Sequence, residues 1–167
     1  NWISSTDGVT WNIIANQTTS YTAQNLTSTT QFRALVQNGA ACRIDTSAPA
    51  IITVNPRTVG GMVNPASTTI CLGQNADNLL NLSGYTGTVQ NWQRSFDNMN
   101  WTGVIPANPT AVHPVLGVNT TQYYRAVVKS GVCPADTSTV ATINFVNVPY
   151  PAASIRPDSS TICYGRS

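Results

Sequence analysis

Apolar and polar positions alternate along this chain, and no stretch places them on a helical stripe. In the phrase Y-Y-R-A-V-V, alternation sets Tyr124, Ala126 and Val128 on one face and Tyr123, Arg125 and Val127 on the other. Leu79–Leu82, Val89–Ser95, Gln122–Lys129 and Val140–Val148 are short runs rich in β-branched and aromatic residues, bounded by Gly, Pro, Asn or Ser. Each reads as a strand. No window keeps apolar residues at i, i+3, i+4 and i+7 for three turns. Asp7-Gly8 and Asp97-Asn98 stand between strand-like runs, the chemistry of a tight hairpin that needs a positive φ. The pattern predicts an all-β chain.

The pattern also repeats. N-W-I-S-S-T-D-G-V-T-W (1–11) returns as N-W-Q-R-S-F-D-N-M-N-W (91–101), and T-T-Q-F-R-A-L-V-Q-N-G-A-A-C (29–42) returns as T-T-Q-Y-Y-R-A-V-V-K-S-G-V-C (120–133). T-T-I-C (68–71) returns as S-T-I-C, ending at Cys163. Three ordered phrases at one spacing of about 92 residues indicate a tandem array. On this frame residues 57–148 hold a complete unit. Residues 1–56 read as the C-terminal part of one unit and residues 149–167 as the start of another. About ninety residues with about seven short strands fits a β-sandwich. Between units, V-N-P-R-T-V-G-G-M-V-N-P (54–65) reads as a semi-rigid joint in which Gly60-Gly61 supplies freedom, and neighbouring sandwiches are expected end to end.

Composition narrows the class. Only 8% of residues are charged, the net charge is +2, and hydrophobic residues make up 41%. No basic run draws the chain to nucleic acid, and no apolar run is long enough to span a bilayer. That hydrophobic share supports packed cores.

The order Cys71, Trp92, Tyr124, Cys133 resembles the immunoglobulin arrangement. It departs from it in one place: the position two residues after Tyr124 holds Ala126, and Cys133 lies beyond the strand. The resemblance implies that Trp92 and Tyr124 fill the core, with Trp2 and Phe32 doing so in the first unit. Within one complete unit the repeat frame pairs Cys71 with Cys133 and leaves Cys42 and Cys163 to partners outside this stretch. One cysteine pair per unit, with no C-x-x-C and no His cluster, points to disulfides rather than zinc, hence to an oxidising, extracellular setting.

S-S-T-D-G-V-T-W, Y-x-R-A-V-V-x-S-G-x-C, T-I-C-x-G and L-S-G-Y-T-G-T-V-x-x-W are similar to repeats of giant cell-surface adhesins of the Bacteroidota, of the gliding-motility type. The resemblance implies type IX secretion, display as surface filaments and adhesion. The expected partners are neighbouring repeats of the same chain, with surface polysaccharide or like filaments beyond them. It supplies no catalytic residues.

The chain's own chemistry points the same way. His113, the only histidine, sits in P-T-A-V-H-P-V and reads as a solvated loop residue; Ser20–Gln24 of the first unit offers no counterpart. All six acids are Asp and are scattered, with Asp7 and Asp97 reading as turn formers. No catalytic, metal or cofactor site is expected, and the chain reads as a structural and adhesive repeat segment rather than an enzyme. Two alternatives stand beside it. In one the repeats grip glycan through Trp11 and Trp101, which recur at hairpin ends and otherwise read as covering the sandwich edge. In the other they are spacers of a secreted multidomain enzyme. Asn16, Asn25, Asn81, Asn100 and Asn119 match N-x-[ST], a pattern that this composition produces readily.

Overall fold

Strand-forming runs separated by Gly, Pro and Asn turns give fourteen strands and no helix in the computed structural model, which describes residues 1–71 and 78–147. Cys163 and the segment 149–167 lie outside the described residues. The chain is all-β.

Residues 1–56 form one sheet. β1 (Trp2–Ser5) is flanked by β2 (Asn12–Ile14) and by β3 (Thr30–Val36). The other side of β3 carries β5 (Ala50–Ile52) along its first half and β4 (Asp45–Thr46) along its second.

The second unit begins with β6 (Met62–Asn64), β7 (Ser67–Cys71) and β8 (Asn78–Ser83). It continues through β9 (Thr88–Ser95), β10 (Thr102–Gly103), β11 (Val112–Val115) and β12 (Gln122–Lys129). It ends with β13 (Asp136–Thr137) and β14 (Ala141–Val146). One sheet runs β10-β9-β12-β14-β7, with β13 also on β12; the other runs β11-β8-β6. Pro65, which has no N–H to donate, separates β6 in the smaller sheet from β7 in the larger one.

The expected strands are present, and β12 carries the expected alternation: Gln122, Tyr124, Ala126 and Val128 are buried, and Tyr123, Arg125 and Val127 between them are half-buried. Trp92, Leu80, Val63, Val115, Val128 and Ile143 meet between the two sheets and form the core.

Ladder registers superimpose at the repeat spacing. Trp2 faces Ala34 as Trp92 faces Ala126, and Phe32 faces Ala50 as Tyr124 faces Ala141. The larger sheet is therefore built twice from the same instructions. Among the described residues, only the second copy is covered. Val128 and Ile143 are fully buried under the β6-β8-β11 sheet, whereas their counterparts Val36 and Ile52 are 60% and 42% exposed. Among the described residues, 1–56 contribute the one sheet and no covering layer.

The joint differs from its expected form. Gly60 and Gly61 are held inside the second unit: Gly60 N donates to Asp136 Oδ2 at 3.1 Å, and Thr139 N donates to Gly61 O at 3.0 Å. A Cβ on Gly60 would collide with the Thr137 carbonyl. This glycine is there for close backbone approach, not for freedom. Thr58, also buried, accepts from Ser130 N at 3.0 Å. The connection proper is thus shorter than residues 54–65.

Candidate functional site

The turns after β1 and β9 are built alike. Asp7 Oδ1 accepts from Val9 N, Thr10 N and the Ser5 hydroxyl, and Asp97 Oδ1 accepts from Met99 N, Asn100 N and the Ser95 hydroxyl, all at 2.7–2.9 Å. The Thr10 N–H above all holds the Asp7 carboxyl far below the ordinary carboxylate range, and the Asn100 N–H does the same for Asp97. Gly8 and Asn98 take the positive φ expected of them, at 75° and 58°. The turns are longer than a two-residue hairpin, because the aspartates close them through side-chain bonds.

These turns deliver Trp11 and Trp101 to the outer face of the larger sheets. Arg33 lies over the Trp11 ring at 4.7 Å and Arg125 over the Trp101 ring at 4.2 Å. Both indoles are half-buried, and one face of each is occupied by a guanidinium. Arg125 Nε donates to Gln93 Oε1 at 2.8 Å; Ile3 stands at the equivalent place in the first unit, and Arg33 Nε is buried without a partner among the described residues. Strand alternation puts Arg125 on the outer face, but its pairing with Trp101 crosses from β12 to the β9–β10 turn and needs the fold to be seen.

On the inner side, three rings recur as a set. Trp92 stacks on His113 with centroids 5.3 Å apart, and His113 meets Tyr124 at 5.4 Å. In the first unit Trp2, Tyr21 and Phe32 make the same chain at 6.1 and 5.6 Å. Each tryptophan Nε1 donates to the equivalent threonine carbonyl, Trp92 to Thr110 O at 2.9 Å and Trp2 to Thr18 O at 3.1 Å. His113 is thus not a solvated loop residue. It lies on β11, an edge strand paired with β8, and takes the place of an aromatic core residue. A groove of about 670 Å³ opens beside it, lined by Arg94, Ile105, Pro106, Asn108, Leu116 and His113 itself.

Burial pushes the His113 pKa below the ordinary value of 6.5. Asn108 Nδ2, 3.2 Å from His113 Nδ1, donates to that nitrogen only while it is unprotonated. The unfolded chain therefore takes up the proton first. The stabilisation is complete above pH 6.5 and is lost as pH falls from there through the depressed folded value. We expect the melting temperature of the second unit to drop between pH 7.5 and pH 5, and His113→Tyr to flatten that slope. An equal slope in the variant would show that the acid sensitivity lies elsewhere.

The cysteines depart from expectation. Cys71 is level with Val146 in a parallel ladder, while Cys133 lies in the turn beyond Lys129. About ten register steps separate those levels, roughly 30 Å at about 3.3 Å per residue. A disulfide needs Cα atoms within about 7 Å. No Cys71–Cys133 bond forms, and Cys133 keeps its thiol, as does Cys42.

A family model described as Domain of unknown function (DUF8696) matches residues 1–56 and residues 59–147. No curated protein and no solved structure matches the chain.

Proposed function

The chain belongs to the family described as Domain of unknown function (DUF8696), and from that premise we propose that it is a non-catalytic repeat segment of a long extracellular surface filament, the stalk of an adhesin. The observation that carries this reading is the pairing of β7 with β14. These are the first and last strands of the second unit's larger sheet, and they run parallel through five residue pairs, Ser67–Cys71 beside Thr142–Val146. Pulling the ends of the unit apart drags β7 back toward Ser67 and β14 onward past Val146. The ladder bonds between them are then loaded in shear and must fail together. A pair loaded from one end would open one bond at a time. Such a module suits a chain that carries tension.

Two further features support the reading. The large sheets recur with one register, and the joint is short. Glycan gripping by Trp11 and Trp101 draws less support, because a guanidinium already lies on one face of each ring. Single-molecule pulling on the whole chain tests the proposal. We expect one high-force event that releases about 80 residues, roughly 28 nm at about 3.5 Å per residue. A second unit that extends without a resolvable force peak would rule the stalk role out.

A further inference from the structure

Each cysteine of the repeat sits at a joint. Cys71 ends β7 opposite Val146, where the chain leaves the second unit. Cys133 sits at the other pole, where the chain arrives. Its Sγ donates to Pro56 O at 3.6 Å and lies 3.9 Å from Asn55 O. Cys42 occupies the same turn in the first unit: Cys42 N donates to Gly39 O at 3.2 Å as Cys133 N donates to Ser130 O at 2.9 Å.

The register ties these poles together. Ala50 and Ala141 are equivalent through their partners Phe32 and Tyr124, so Asn55 of the first unit is the counterpart of Val146. Val146 is the residue that Cys71 faces. The T-I-C cysteine of a complete first unit would therefore stand beside Asn55, one strand spacing (about 4.8 Å) away. Cys133 of the second unit already touches the carbonyl of that residue. The geometry points to disulfides formed across joints: the Cys71-type cysteine of one unit bonds to the Cys133-type cysteine of the next. This rests on the tandem arrangement of units and not on the adhesive role. Every joint then carries one covalent staple, while no unit is closed on itself.

Formation needs a disulfide oxidant such as oxidised glutathione. One thiolate attacks it and releases a first reduced glutathione; the second protein thiolate then attacks the mixed disulfide and releases another. Two protein thiols and one oxidant disulfide become one protein disulfide and two small thiols.

Residues 1–56 do not include the T-I-C position, so the test supplies it. A second copy of residues 57–90 is joined directly ahead of Asn1 of the full chain. Asn1 is the equivalent of Asn91, so the new junction has the native sequence. After oxidation with glutathione disulfide, peptide mapping without reduction is expected to find the grafted Cys71 bonded to Cys133. Cys133→Ser should leave the grafted thiol open to alkylation or glutathionylation. A bond from native Cys71 to Cys133, or grafted Cys71 still fully alkylatable beside a protected β3, would overturn the proposal. The unextended chain gives an independent arm: an intramolecular Cys71–Cys133 bond there sinks it whether or not the graft folds. A grafted chain that forms the staple yet yields at low force would refute the stalk reading and leave this one standing.

Discussion

Grafting residues 57–90 ahead of Asn1 is expected to turn the first sheet into a second cooperative domain. In the unextended chain Trp2, Ala34, Val36 and Ile52 form an apolar face that the matching strands of the second unit bury completely. Fully burying a Val or Ile side chain stabilises by about 1.5–3 kcal/mol. Complete domains of this size stand at roughly 5–15 kcal/mol in all. Leaving two such residues largely open, with no opposing layer among the described residues, therefore removes a large share of what holds a unit. Amide exchange reads this out directly. Without the graft, residues 30–36 should exchange orders of magnitude faster than residues 122–129. With the graft the two should converge, a second unfolding transition should appear, and binding of an apolar dye should fall. Equal protection of β3 and β12 in the unextended chain would refute the half-sandwich account. The grafted chain also carries the missing T-I-C cysteine, so stability and stapling are measured on one molecule.

Legibility in the sequence followed what each pattern physically encodes. Alternation is a direct record of one buried and one less buried face, and it located β8, β9, β12 and β14 to within a few residues. Short strands such as β4 and β13, at two residues each, have no room for alternation and left no trace. Pro114 beside His113 reads as a loop because proline removes a ladder donor. It is tolerated here because β11 is an edge strand, where one side of the backbone needs no partner. Gly60-Gly61 reads as freedom, because a glycine needed for close approach looks the same in sequence. The cysteines show the limit most sharply. The repeat frame pairs Cys71 and Cys133 because they share a unit, but alternation says nothing of strand direction. The parallel run of β7 beside β14 sends Cys71 to the far pole.

The other large effect is expected at Trp92. Its side chain is fully buried between the sheets, stacks on His113, and donates to Thr110 O. Trp92→Ala leaves a cavity in a core that a neighbouring sheet closes from the other side, and also an unpaired carbonyl at Thr110. Large aromatic-to-alanine changes in such places cost about 3–5 kcal/mol, and the stranded acceptor adds about 1 kcal/mol or more. A unit at the low end of the usual 5–15 kcal/mol range would be left near its midpoint at about 25 °C. Trp2 makes the matching bond and the matching ring contact, yet it is only half-buried because, among the described residues, no second sheet covers its own. Trp2→Ala in the unextended chain should therefore cost less than half as much. In the chain carrying the graft its cost should rise toward that of Trp92→Ala, because the same residue then sits under the same cover. Urea melts followed by exchange at β3 and β12 separate the four variants. A Trp2→Ala cost that does not change when the graft is added would mean that the added strands do not close over the first sheet.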